Sequence, residues 1–184
     1  MFRFFFEKIG IYDKIREVKY IQKYKTPKEF DDIVLVSDGE CLVGLYFEHS
    51  KGVELATKDA AKKSGIFDEV ISWLDIYFAG KIPNFTPKNR LENATSFRKL
   101  VLEKLLKIPY GKTMTYGEIA KEIAYEKGLS KMSAQAVGGA VGWNSICLII
   151  PCHRVIGSSG QLVGYGGGIK NKEELLKLEK RSVL

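Results

Sequence analysis

Apolar and polar positions alternate between two rhythms along this chain. Ile33-Val34-Leu35-Val36-Ser37 and Leu42-Val43-Gly44-Leu45-Tyr46-Phe47 are short runs of β-branched and apolar residues around Asp38-Gly39. An Asp-Gly pair between such runs predicts an antiparallel hairpin closed by a type I′ turn, whose two central residues need positive φ. Helical spacing takes over at Ile66, Val70, Trp73, Leu74, Tyr77 and Phe78, with Gly80 placed as a C-terminal cap. The polar, proline-marked stretch from Ile82 to Arg90 reads as a connection. A second helix is predicted over Asn93 to Lys107, with Phe97, Leu100, Val101, Leu105 and Ile108 on one side and Arg98, Lys99, Glu103 and Lys104 on the other. Thr115-Tyr116-Gly117-Glu118 has the form of a capping box and starts a helix that runs to about Tyr125 and breaks at Gly128. Ser133 caps another through Ala140, and Glu173 to Lys180 reads as a last helix. Residues 1–30 are the least informative, either an edge strand or an extension.

These elements predict an α+β chain in two parts: an N-terminal antiparallel-sheet scaffold over residues 1–87, and a C-terminal helical part over 88–184. With 184 residues and 45% hydrophobic side chains the chain can bury a real core. Charge is unevenly placed: residues 1–87 carry 13 basic and 14 acidic side chains, residues 88–184 carry 16 and 8. A basic excess on one part favours a polyanionic partner, most simply nucleic acid. The two short helices, with lysines at 112, 121, 127 and 131 around them, fit a helix-turn-helix. The second is thin-surfaced, with Ala134, Ala136, Gly138, Gly139 and Ala140. Glycine costs helix stability about 1 kcal/mol relative to alanine, so close approach to a backbone is expected there, either that of DNA or that of the helix carrying Tyr116.

Three cysteines, Cys41, Cys147 and Cys152, form no CxxC pair and match no familiar metal spacing with His49 and His153. This predicts a reducing compartment, with no metal and no cofactor. The apolar opening Phe2-Arg3-Phe4-Phe5-Phe6 is broken by Glu7 and Lys8 and is too short to span a membrane. A soluble cytoplasmic protein is expected, with His49 and Cys41 in structural roles.

The candidate chemistry lies in Ile149-Ile150-Pro151-Cys152-His153-Arg154-Val155-Ile156. A free cysteine, with a pKa near ~8.5, needs a base or cation beside it to attack at neutral pH. His153 and Arg154 supply both kinds of neighbour. Read from the residues alone, Cys152 is either such a nucleophile or a small buried hydrophobe.

The flanks decide between these. Ala136 to Asn144 upstream, with the asparagine eight residues before the cysteine, and Ser158-Ser159-Gly160 through Val163-Gly164-Tyr165-Gly166-Gly167-Gly168 downstream resemble the O6-alkylguanine-DNA alkyltransferase family. The match runs without a gap from about Gln135 to Glu179, and more loosely from about Asp32. The resemblance implies a ribonuclease H-like N-terminal part, a helix-turn-helix or winged-helix-like C-terminal part, and a monomer acting on double-stranded alkylated DNA. It implies irreversible, single-turnover transfer of the alkyl group from O6-alkylguanine to Cys152 after base flipping. His153 would take the thiol proton, Glu179 would orient the imidazole, Asn144 would hold the network, and Tyr116 would donate to the leaving base. Gln135, Ala136, Gly138, Gly139, Arg154, Val155, Tyr165 and Gly166 would contact DNA or the flipped base. Gln135 stands where the family often has arginine, and Gly166 where others have serine. The competing functions are a cysteine hydrolase, disfavoured because hydrolase Cys and His usually come from distant segments, and a recognition module, whose members lack the cysteine.

Overall fold

The computed structural model describes residues 20–50, 53 and 65–182. A three-stranded antiparallel sheet is built from β1 (Tyr20–Tyr24), β2 (Ile33–Ser37) and β3 (Leu42–Phe47), in that order. Helix α1 (Ile66–Phe78) packs on it. There follow α2 (Ser96–Leu106), β4 (Met114–Thr115), α3 (Tyr116–Glu126), α4 (Ala134–Gly142), a single 3-10 turn (Cys152–Arg154), β5 (Val155–Ile156) and α5 (Ile169–Arg181). The fold is mixed α+β, an N-terminal sheet followed by a helical part. Of the two alternatives left open for residues 1–30, an edge strand is present as β1, and residues 1–19 lie outside the described residues.

The hairpin forms, but not through a type I′ turn. Gly39 has a φ of +102° while Asp38 is absent from the positive-φ residues. The Asp38 carboxylate accepts from the N–H groups of Glu40 (2.9 Å) and Cys41 (2.8 Å), a side chain-capped turn that lengthens the connection, and the register shifts between Val36 and Ser37. Every residue of β2 is buried, because Ile33 and Leu35 belong to the main core while Val34 and Val36 belong to a second cluster with Cys41 and Val43.

The outer edge of β3 is not left open. Leu42 exchanges backbone hydrogen bonds with Lys88 and Arg90, and Leu45 with Ser145 and Cys147. The predicted connection and the turn leading to Cys152 thus extend the sheet, which removes an exposed strand edge. One hydrophobic cluster runs from Ile33 through α1, α2, α3 and α4 to Cys152 and Leu175.

Local signals placed most helices well. α1 ends as expected: Gly80 sits at φ +74°, its N–H bonded to Tyr77 O and the N–H of Lys81 to Ile76 O, a Schellman arrangement. Helix α2 starts later than predicted, capped by the Thr95 hydroxyl, because Asn93 adopts a φ of 56° and turns the chain first. Lys104, expected on its polar face, is buried against α3, where its ammonium pairs with Glu126 and lies 3.5 Å from Glu122. The capping box of α3 is complete in both directions, and Ser133 caps α4. Helix α5 begins four residues before its predicted start, after Gly168 at φ +87°. Those extra residues carry Asn171 and Lys172 into the interior.

Candidate active site

Strand pairing brings the expected residues together. β4 lies parallel to β5 with Met114 opposite Val155 and Thr115 opposite Ile156. Tyr116 is the first residue of α3, directly after β4, and Cys152–Arg154 lies directly before β5. Two two-residue strands therefore set the tyrosine beside the cysteine turn.

That turn is held by one side chain. Asn144 Nδ2 donates to Ile150 O (2.9 Å) and to Cys152 Sγ (3.1 Å), while its Oδ1 accepts from the N–H of Ile146 (3.0 Å). Leu148, inside the same turn, has a φ of 68°. Such a conformation costs a non-glycine residue on the order of 1–3 kcal/mol and persists only where the surroundings enforce it. Here the Asn144 clamp and the hydrogen bond from Ile150 N to Ile146 O enforce it.

Cys152 is 5% exposed. The neighbouring Cys147 thiol, acting against burial, holds the Cys152 pKa below the ordinary thiol value, with the Asn144 amide and the Lys172 ammonium adding to the effect. Cys147 itself is pushed well above that value, first by its interaction with Cys152 and then by burial. Of the two thiols, Cys152 is therefore the one that ionises first.

Behind it lies a buried acid–base network. His153 and Glu179 are both fully buried, with Nε2 2.8 Å from Oε1. Burial acts to raise the Glu179 pKa, but His153 and Arg154 together hold it at about 2. An ionised carboxylate only accepts, so Nε2 carries the hydrogen and Nδ1 keeps its lone pair in the neutral ring. That Nδ1 is buried without a hydrogen-bond partner among the described residues. Burial pushes the His153 pKa below its ordinary value, with Glu179 opposing. No direct hydrogen bond links Cys152 to His153 among the hydrogen bonds of the described residues.

Arg154, expected at the DNA surface, is turned inward. Its Nε and Nη2 donate to Glu179 (2.9 to 3.2 Å) and its Nη1 to Ile108 O (2.7 Å). The guanidinium is thus committed to a buried carboxylate, leaving its side chain 11% exposed. The Val155 side chain is buried and its carbonyl accepts from Lys172 Nζ at 2.6 Å.

Next to these groups opens a cleft of about 1080 Å³, walled by Tyr116, Gln135, Gly138, Gly139, Tyr165 and Gly166 among others. Ala136 is exposed on α4 but is not part of that wall. A Cβ on Gly138 would touch the Tyr116 ring at 3.7 Å, whereas one on Gly139 would meet nothing. The first is ordinary van der Waals contact, so packing against the helix carrying Tyr116 does not by itself require glycine at either position. The Tyr116 hydroxyl lies 3.2 Å from Val163 O and 3.3 Å from Gly164 O, so it tethers the glycine-rich loop.

Sequence reasoning missed four participants. Lys172 bridges the carbonyls of Val155 and Val163. Tyr77 donates to Glu179. Cys147 flanks Cys152, and His49, expected to be structural, lines the cleft. Only Lys172 carried a signal: it stands seven residues before Glu179, on the same helical face.

A perturbed, clamped thiol with a histidine–carboxylate pair behind it, next to the packed helices α3 and α4, defines a protein built for cysteine chemistry. Residues 96–181 match the family model "6-O-methylguanine DNA methyltransferase, DNA binding domain". The methylated-DNA–protein-cysteine methyltransferase of Methanosarcina mazei is 40% identical over 151 residues, covering 82% of this chain and 92% of that protein. That of Mycobacterium leprae is 48% identical over 122 residues, covering 66% and 70%. The crystal structure of the Mycobacterium tuberculosis O6-methylguanine methyltransferase superposes with a TM-score of 0.76 at 38% identity, covering 90% of this chain and 94% of that one. A structure of the M. tuberculosis protein in complex with DNA gives 0.74 at 36%, covering 89% and 93%. The chain belongs to the methylated-DNA–protein-cysteine methyltransferase family.

Proposed function

We propose that this chain repairs O6-alkylguanine in double-stranded DNA by moving the alkyl group irreversibly onto Cys152, one group per molecule. The observation that carries this reading is the Cys152 thiol, lowered in pKa and clamped by Asn144 in front of the His153–Glu179 pair. Removing the group is a displacement at an sp3 carbon. The thiolate pair forms the S–C bond, the C–O6 bond breaks, and its electrons pass to the guanine ring. The thiol proton passes through a bridging water to His153 Nδ1, the nitrogen left free by the bond to Glu179, and the departing base is reprotonated.

Tyr116 is the donor to the base, and to serve it must exchange its bond to Val163 or Gly164 for one to the guanine. The nucleotide has to leave the stack to reach a residue this buried, at a cost of a few kcal/mol that falls for a poorly paired base. Gln135, Gly138, Gly139, Tyr165 and Gly166 line the cleft it would enter. We further propose that the chain acts as a monomer. A thioether does not hydrolyse under these conditions, so the product stays on the protein. A cysteine hydrolase would instead turn over.

Incubation with a duplex oligomer containing O6-methylguanine, followed by intact-mass and peptide analysis, tests this. One methyl group per chain on Cys152 is expected, and none in Cys152→Ser. Continued turnover, or a methyl group on another residue, would overturn the reading.

A further inference from the structure

The N-terminal sheet and α1 were expected to be scaffold without reacting groups, yet α1 sends one polar atom into the centre of the site. Tyr77 is 1% exposed. Its ring stacks on Trp73 (centroids 5.3 Å apart) and meets Phe78, Tyr110 and His153 edge-on. A phenylalanine would fill that space equally well. Burying a phenol hydroxyl costs free energy unless it is bonded, and this one donates to Glu179 Oε1 at 2.8 Å, with His153 Nε2 3.4 Å away. Burial and the adjacent carboxylate push the Tyr77 pKa well above the ordinary value. Its proton is therefore always present for donation.

We propose that Tyr77 is a positioning residue for the alkyl transfer: its hydroxyl fixes Glu179 Oε1 and weakens that oxygen's hold on the His153 proton. The inference rests on the proposed roles of Cys152 and His153. Oε1 is the atom shared by Tyr77, His153 and Arg154. Oε2 is held by Arg154 Nε and by the Gly111 N–H. A carboxylate oxygen that already accepts from a phenol carries less charge to stabilise an imidazolium, so the ring stays neutral to lower pH. A neutral ring is what accepts the thiol proton.

The other groups facing this pair are Arg154 from the 3-10 turn, Lys172 from α5 and Tyr110 from the segment after α2. Arg154 and Lys172 disfavour a charged imidazole and remain unchanged when Tyr77 is altered. Loss of the hydroxyl therefore acts in one direction, raising the His153 pKa.

The test is the pH profile of the single-turnover rate on O6-methylguanine duplex, with the His153 ring titrated in parallel by NMR. His153 must be neutral to work, so the rate falls as pH drops through its pKa. Tyr77→Phe should move that acid limb, and the NMR midpoint of His153, upward by roughly half a unit or more. Replacing Tyr77 by 3-fluorotyrosine, a stronger donor of nearly the same shape, should move both downward. Trp73→Phe, which disturbs the stack but keeps the hydroxyl, should leave them in place. Unmoved midpoints in the two Tyr77 variants would overturn the inference, even if the rate fell. Failure of the unaltered protein to methylate Cys152 would instead overturn the reading on which it rests. Should Tyr77→Phe fold poorly, the fluorinated protein alone decides by the sign of its shift.

Discussion

Lys172 and Glu179 stand seven residues apart on α5, two helical turns on one face, and both are fully buried. Their charged ends serve different atoms. Glu179 takes His153, Arg154, Tyr77 and the Gly111 N–H, while Lys172 bridges the carbonyls of Val155 and Val163, just after the reactive turn and just before the glycine-rich loop. One helix thus supplies an anion behind the imidazole and a cation whose field reaches the Cys152 thiolate.

Lys172 is costly to keep there. Burial lowers its pKa to about 8, with the nearby Cys152 opposing. At neutral pH it is still charged and stabilises the thiolate. Lys172→Met should raise the pKa of Cys152 and slow alkyl transfer at neutral pH by roughly tenfold, the equivalent of one pKa unit. Rates measured against pH separate this from loosening of the loop: the thiolate limb should shift upward. A slower rate with an unshifted limb would mean that Lys172 only ties Val155 to Val163.

The second charge predicts how the protein responds to acid. The Glu179 pKa is about 2, depressed from an ordinary 4.5. A carboxylate with a depressed folded-state pKa contributes stability that is present above the unfolded value and is lost as pH falls through the folded one. Stability should therefore drop between about pH 4.5 and pH 2 as the proton is forced onto Glu179. Urea midpoints of Glu179→Gln should be lower at neutral pH, since Arg154 loses a charged partner, but should depend less on pH across that window. Equal slopes for the two proteins would place the acid-sensitive group elsewhere.

What the sequence made legible was local. The hairpin, the end of α1 at Gly80, the Thr115–Glu118 box and the Ser133 cap depend on residues within a few positions of one another, and all four stand in the structure. The exact turn at Asp38-Gly39 was missed because the Asp38 side chain competes with the backbone for the same N–H groups. Lys104, Lys172 and Tyr77 were misjudged for a different reason. Lys104 was assigned to the solvent face, Lys172 fell before the predicted start of the last helix, and Tyr77 was read only as an apolar packing position; their polar partners lie 22, 17 and 102 residues away. Arg154 illustrates the same limit: the family resemblance implied a DNA or base contact, and only the fold brings Glu179 to it. The chemistry around Cys152 was readable because Asn144, Cys152 and His153 lie close in the chain and carry a family pattern. The tuning groups were not, because tertiary packing alone assembles them.

Gln135 is where this chain departs from the family's frequent arginine in a place that touches DNA in the proposed reading. It is exposed on the first turn of α4 and lines the cleft. A glutamine can hydrogen-bond to the base left unpaired by flipping, but it brings no charge and so releases no counterion. Each added cationic contact to the duplex steepens the fall of log affinity with log salt by about 0.9. Gln135→Arg should therefore bind an O6-methylguanine duplex more tightly at low salt, with a slope steeper by about that amount, while the transfer rate at saturating DNA changes little. Titrations of a Cys152→Ser background over a range of salt concentrations measure the slope without consuming the protein. An unchanged slope would show that residue 135 does not approach the phosphates, and would move the DNA path away from the N-terminus of α4.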